Sequence, residues 1–440
     1  MSDATITYSQ EDRLLAVKTT AGTTELLLEK LSGTEALSKP FEFKLTMLST
    51  NFEVDLKSLL RTPVTLTVIQ ADGSERYFNA VFRSLTQAKE GEDVMKGHEN
   101  KGISNPARDL AVYDAVVVPK VWFLSLDSNC KIFQNLSVPD IVSKILKDNN
   151  VTDFSFRTNG TYPPRDYCVQ YRESSLNFIS RLLEEEGIFY FFEHTDSKHT
   201  MVFADKSSLL SPCPNQATAQ YSYDQSGWVG QGEEGVASLE RHETAYTGKA
   251  ALTDYNFKTP SLSLMSTLAD DNEEVYDYPG EYSTLDDGDR YVKLRLEERE
   301  AQQFVVNGSS RCRAFRSGVS FKLEGHYRSD TNAEYFLSSV SHDAFDSTYR
   351  QDKDQSHYYK NSFKAIPKSV PYRPPRTSER PTVQGLQSAL VVGKSGEEIW
   401  TDQYGRVKVQ FYWDRDGKKN EDSSCWVRVS QVWAGKGWVG

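Results

Sequence analysis

Short apolar runs broken by turn residues, with no helical period between them, constrain the N-terminal part of this chain more than any other feature. Residues 14–17, 26–28, 41–48, 64–69 and 77–85 read as strands. Ala71-Asp72-Gly73-Ser74 reads as a hairpin turn, because glycine accepts the positive φ at which strands reverse. Strands at this spacing imply a small barrel or sandwich.

The pattern then changes several times. Residues 87–108 are rich in Glu, Lys, Gly and Asn and read as a solvated loop. β character resumes over 112–126. A helix is expected from Ser137, whose hydroxyl can cap, with Pro139 in the first turn and Ile141, Val142, Ile145 and Leu146 on one face. A second helix starts at Ser174 or Ser175, carries Leu176, Ile179, Leu182 and Leu183 as its stripe, and ends at Gly187. An aromatic strand follows at 188–192. Residues 270–289 hold nine acidic side chains and no basic one, and read as a solvated loop before a third helix from about Asp289 to Phe304. Strands return over 317–340. Pro367, Pro371, Pro374, Pro375 and Pro381 then make a stiff, extended connector. Beyond it, the alternation of Val407, Val409, Phe411 and Trp413 with polar residues, the turn at Asp416-Gly417 and the return through Cys425, Val427 and Val429 suggest a small antiparallel barrel.

Length and charge limit the function. The 440 residues suffice for several cores, and the net charge is −11. That balance disfavours nucleic acid and anionic membranes, both of which recruit Lys and Arg. No apolar run approaches the roughly 18–20 residues of a membrane span. Residues 1–20 lack the basic and apolar regions of a secretory signal. The five cysteines, Cys130, Cys168, Cys213, Cys312 and Cys425, are odd in number and form no Cys-x-x-Cys pair.

Candidate chemistry fails on spacing. Gly393-Lys394-Ser395 lacks the earlier glycine of a phosphate loop, position 388 being Ser388, and leads towards a strand rather than a helix. His194 and His199 have no partner ligands at zinc spacing and read as an exposed turn, as do His326 and His342. Glu184, Glu185 and Glu186 point about 100° apart around a helix and read as surface charge. Asp414-Arg415-Asp416-Gly417 falls short of a calcium loop and reads as a hairpin. No catalytic, cofactor-binding or metal-binding residue is assigned, and the chain reads as a non-enzyme.

Four blocks together resemble one family: LSGTEALSKPF at 31–41; KIFQ at 131–134 leading into SVPDIV at 137–142; YCVQYRES at 167–174 continuing through FISRLLEEEGIFY at 178–190; and TDQYGRVKV at 401–409, followed by Trp413-Asp414 and SCWVRV at 424–429. FLSSVSH at 336–342 fits a weaker fifth. In this order they resemble the VgrG spike proteins of bacterial type VI secretion systems. The resemblance implies a mainly β fold with an α+β part: a hub-like module with two similar β-barrels and a helix-bearing region, then an incomplete OB-type barrel. It divides the chain into a first hub β-barrel region (1–86), a polar insertion (87–110), the second barrel and α+β hub regions, intertwined with the first (111–366), a Pro-rich linker (367–381) and the start of a needle-base barrel (382–440). It implies a homotrimer seated on an Hcp-type tube hexamer, in contact with baseplate proteins. A tip-capping protein and effectors would join through a C-terminal part beyond Gly440, which the abrupt end suggests is missing. Such a protein assembles in the cytoplasm, leaves through the type VI machine without a signal peptide, and meets the target membrane only by mechanical puncture. The alternative is the hub of a contractile phage tail or related injection particle.

Overall fold

Alternating inward apolar residues build the fold seen in a computed structural model. The structure describes residues 8–87, apart from 12, 21, 23 and 24, and residues 110–222, 234–269, 273–347 and 357–430. The polar insertion at 88–109 and the tryptophans at 433 and 438 lie outside these residues. The chain divides into two compact units: residues 1–120, 153–159 and 187–375, and residues 121–152, 160–186 and 376–440.

The first unit is dominated by a twelve-stranded sheet. Its first six strands are β1 (Leu15–Lys18), β2 (Leu27–Ala36), β3 (Lys39–Ser49), β4 (Pro63–Ile69), β5 (Glu75–Gln87) and β6 (Ala111–Val118). They lie in the order β1-β4-β5-β6-β3-β2. The 71–74 hairpin joins β4 to β5, with Gly73 at φ 80°. Phe41, Phe43, Leu45, Met47, Phe78 and Phe82 are buried between neighbouring strands.

The remaining six are β12 (Thr218–Tyr221), β13 (Gly235–Glu243), β17 (Phe304–Ser310), β18 (Ser320–Glu324), β19 (Glu334–Asp346) and β20 (His357–Pro367). Their order is β19-β18-β12-β13-β17-β20, and β20 pairs again with β19. The hydrogen-bonded circuit therefore closes on itself. Val236, Val306, Phe315, Phe321, Leu323, Tyr335, Val340 and Phe363 form its core. The antiparallel ladder between β2 and β19, from Ala36↔Ser339 to Lys30↔Phe345, joins the two halves into one sheet.

Two smaller sheets complete this unit. One holds β8 (Phe154–Arg157), β10 (Phe189–His194) and β11 (His199–Ala204). The other holds β14 (Lys249–Leu252), β15 (Ser266–Ala269) and β16 (Glu274–Asp277), backed by helix α4 (Leu285–Gln303). This helix starts four residues before the expected Asp289, because Thr284 Oγ1 accepts from Asp287 N and caps it there. The acidic stretch is accordingly no continuous loop, since it contains β16 and the first turn of α4. The one-turn helix α1 (Leu56–Leu59), capped by Asp55, had no sequence signal beyond its cap.

The second unit contains α2 (Val138–Asp148) and α3 (Ser175–Glu185), capped by Ser137 and Ser174 as their sequences predict. Strands β7 (Asn129–Phe133) and β9 (Cys168–Glu173) pair with each other, as do β21 (Ala389–Val392) and β22 (Lys408–Phe411). The strand expected over 112–126 ends at Val118, and Lys120–Ser125 winds into a 3₁₀ segment. The return strand expected at 425–429 is reduced to one bridge, Val407↔Val427. No helix among the described residues is long and apolar enough to cross a membrane.

Candidate functional site

The most elaborate cluster of ionisable groups lies where the two halves of the large sheet meet. Alternation along β19 turns Val340, His342, Ala344 and Asp346 inward. His342 thereby faces Glu35 of β2, while Arg76 reaches the same carboxylate from β5. Arg76 Nη2 donates to Glu35 Oε1 at 2.8 Å, with side chains only 10% and 3% exposed. His342 Nε2 lies 2.9 Å from the same oxygen, and Tyr359 Oη lies 2.6 Å from His342 Nδ1. A carboxylate can only accept, so Nε2 carries the proton and Tyr359 donates to Nδ1.

The chain of bonds continues. Asn361 Nδ2 donates to Cys312 O at 2.8 Å, and Ser310 Oγ donates to Asn361 Oδ1 at 2.7 Å. Arg76 Nη1 also donates to Arg313 O and to Phe315 O, and its guanidinium sits over the Phe78 ring. Groups from β2 and β5 on one side and from β17, β19, β20 and the β17–β18 connection on the other thus form one network.

Electrostatics fix the protonation states. Burial alone would raise the Glu35 pKa. The His342 hydrogen bond and the charge of Arg76 outweigh it and hold Glu35 at about 2. Burial pushes the His342 pKa down, opposed by its bond to Glu35. Burial likewise pushes Tyr359 up to about 12. At neutral pH the cluster is one ion pair with a neutral imidazole and a neutral phenol. This arrangement holds two halves together; it presents no nucleophile paired with a base.

The histidines correct the sequence reading. The turn after His194 is exposed, but both rings face inward across the β10–β11 ladder, 5.1 and 5.9 Å from the Phe41 ring. Asn79 N–H donates to His194 Nδ1 at 3.1 Å, and His199 Nδ1 lies 3.0 Å from Asn79 Oδ1. Burial lowers their pKa values to about 3 and about 4. His326 is buried too, stacked on Tyr327 and meeting Tyr221 edge-on. The inward parity of β19 was the available signal for His342.

In the second unit Glu184 and Glu186 are buried rather than on the surface. Arg165 bridges Glu185 and Glu186, each at 2.7 Å. Glu184 Oε2 accepts from Thr377 N at 3.0 Å and Ser378 N at 2.9 Å, which ties linker residues to α3. Trp413 Nε1 donates to Gln387 Oε1, and Gln387 Nε2 donates to Tyr171 Oη. Asp414 Oδ1 accepts from Asp416 N and Gly417 N, the hairpin geometry expected there. Gly393-Lys394-Ser395 lies in a turn, closed by Glu397 N donating to Lys394 O.

Residues 34–348 match the family model for the phage tail baseplate hub (GPD). The chain belongs to this baseplate hub family. The hub chain is 36% identical, over 98% of its length, to the type VI secretion system spike protein VgrG1b of Pseudomonas aeruginosa, and 35% identical to VgrG1a of the same organism. It spans 56% and 65% of those relatives' own lengths. The VgrG resemblance carried by the sequence blocks therefore holds across nearly the whole hub chain. Among solved structures, the E. coli c3393 protein superposes with a TM-score of 0.68 at 22% identity, covering 94% of this chain and 92% of that one. It is described as a type VI secretion component structurally similar to the T4 bacteriophage tail proteins gp27 and gp5. The 43 kDa tail protein of prophage MuSo2 from Shewanella oneidensis gives a TM-score of 0.55 at 9% identity, over 82% of this chain and all of that one. These likenesses show a shared mainly β hub fold.

Proposed function

We propose that this chain is the hub-bearing part of a structural spike of a bacterial type VI secretion machine. The observation that carries the reading is the similarity to VgrG spike proteins along 98% of the chain. Its mechanism is mechanical and needs no enzymatic step: sheath contraction drives the spike through a target envelope, and subunit stiffness transmits the force.

In this reading the six-strand array and the closed six-strand circuit are the two similar β-barrels of the hub; residues 1–86 supply most of the first, and 111–366, intertwined with it, supply its strand β6, the second barrel and the α+β regions. A homotrimer then offers six comparable barrels to a six-fold, Hcp-type tube. The linker at 367–381 leads to residues 382–440, the start of an OB-type needle base. Baseplate proteins contact the hub, and effectors and a tip-capping protein join through more C-terminal parts of the full protein. The protein assembles in the cytoplasm and leaves with the machine.

Deleting the gene and scoring release of the Hcp-type tube protein tests this. Release should stop and be restored by the full-length gene, and purified hub chain should sediment near three times 49.9 kDa. Undiminished release in the deletion strain would sink the proposal. The hub-family match over 34–348 favours one second reading, the hub of a contractile phage tail. There the deletion would abolish infectious or bactericidal particles and leave secretion intact.

A further inference from the structure

The last turn of α3 and its cap carry Glu184, Glu185 and Glu186 but no basic residue, although the helix dipole favours cations there. Arg165 accounts for Glu185 and Glu186. Glu184 is turned elsewhere and is only 6% exposed. Its Oε2 accepts from Thr377 N and Ser378 N, and Ser378 Oγ donates to its Oε1 at 2.7 Å. Three donors thus converge on one carboxylate, a group that can only accept.

The donors come from chain that belongs to no element. Residues 376–388 form neither helix nor strand, so their N–H groups have no ladder to join. Asn177 lies seven residues before Glu184, two turns back on the same face of α3. Its Nδ2 donates to Glu379 O at 2.8 Å. Further on, Gln387 Nε2 donates to Tyr171 Oη of β9 at 2.8 Å, and Trp413 Nε1 donates to Gln387 Oε1 at 2.9 Å. The Tyr171 and Trp413 rings meet edge-on at 5.7 Å. The segment therefore runs back along α3, pinned at three places, and every one of these contacts lies inside the second unit.

We propose that residues 376–388 are a strap and that Glu184 is its clasp. By taking two backbone N–H groups and a hydroxyl, the carboxylate holds the exit of the Pro-rich linker on α3. The helix-bearing part and the start of the barrel then act as one mechanical body. A free spacer swings or stretches under force; a strap passes the force to α3 and β9. Chemistry makes Glu184 the deciding group, because Gln in its place keeps the shape but turns an amide N–H towards N–H donors. The force-carrying role rests on the spike reading; the clasp itself does not.

Trypsin reads the clasp on the purified full chain. Between Ser369 and Gly393 the basic residues are Arg373, Arg376 and Arg380, and the first and last precede prolines. Arg376–Thr377 is therefore the one cleavable bond of this stretch, and cutting it needs the strap to open. Wild type should be cut there at least about tenfold more slowly than a synthetic peptide of residues 369–393, the scale of one hydrogen bond to a charged group. Glu184→Gln should speed cleavage at least about tenfold. Ser378→Asp should do the same by setting a like charge against Glu184, without touching the interior of α3. Ser378→Thr keeps the hydroxyl donor and should keep the slow rate. Where hydrogen exchange shows that Glu184→Gln opens α3 itself, Ser378→Asp decides alone. Cleavage of wild type as fast as the peptide, or an unchanged rate in Ser378→Asp, overturns the proposal. In the deletion strain, the full-length gene carrying Ser378→Asp should release less Hcp-type tube protein than the wild-type gene. A freed strap with undiminished release overturns the mechanical role and leaves standing the spike reading, which the deletion itself tests.

Discussion

Arg76 and Glu35 carry opposite charges in a setting where neither can hydrate, and Glu35 also holds His342. Removing one member leaves a buried charge without its partner, which costs about 3–5 kcal/mol in comparable pairs. Arg76→Leu should therefore lower the unfolding free energy by about that amount in a denaturant titration. The double variant Arg76→Leu, Glu35→Leu should recover a large part of the loss, because no lone charge remains. A double-variant cost equal to the sum of the two single costs would mean that the pair is not coupled. The buried histidines beside this cluster and Glu35 within it make stability depend on pH. His194 and His199 titrate at about 3 and 4 when folded, against an ordinary value of 6.5. The unfolded chain binds protons first, so stability is full above pH 6.5 and falls as pH drops towards 4. The limiting slope is about 1.4 kcal/mol per pH unit for each histidine. Below pH 4.5 protonation of Glu35 adds a second loss, complete near its folded value of about 2. Asn79→Ala, which removes the His199 side-chain partner, should change the acid limb of a melting-temperature profile and leave its neutral plateau lowered but flat. The sequence named these histidines but set them on the surface. Single residues do not reveal which neighbour a ring will meet 115 or 307 positions away, as Asn79 and Glu35 are here.

At the scale of elements, local signals were most readable where the chain's own backbone supplies the partner. Ser137 and Ser174 cap their helices as read, because the bonded N–H lies three residues on. Ser174→Ala should lower stability by about 1 kcal/mol. Gly187 was legible for the same reason: it ends α3 at φ 68°, a left-handed conformation that glycine adopts without strain. A Cβ there would also come 2.7 Å from Leu294 Cδ2, so Gly187→Ala combines backbone strain with a clash. It should cost roughly 2–4 kcal/mol in thermal or chemical unfolding, more than the lost cap. Elements whose partners are distant were read less well. The start of α4 moved to Thr284, and residues 120–125 became 3₁₀ although their Val-Trp-Phe composition favours strands. The circuit through β20 and β19 had no local signature, because its eleven paired positions define it only in three dimensions.

Charge acts on the molecule as a whole. Of the net −11, residues 381–440 contribute +1, from eight basic and seven acidic groups, so the first 380 carry −12. Three copies brought together as a hub would therefore repel through their N-terminal parts, and only short-range contacts can hold them. Exposed like charges are screened over about 10 Å at 0.1 M salt and about 3 Å at 1 M. Raising salt should consequently strengthen self-association of this chain, and sedimentation equilibrium between about 0.05 and 0.5 M salt reads the effect directly. If self-association instead weakens with salt, the subunit contacts are themselves ion-paired.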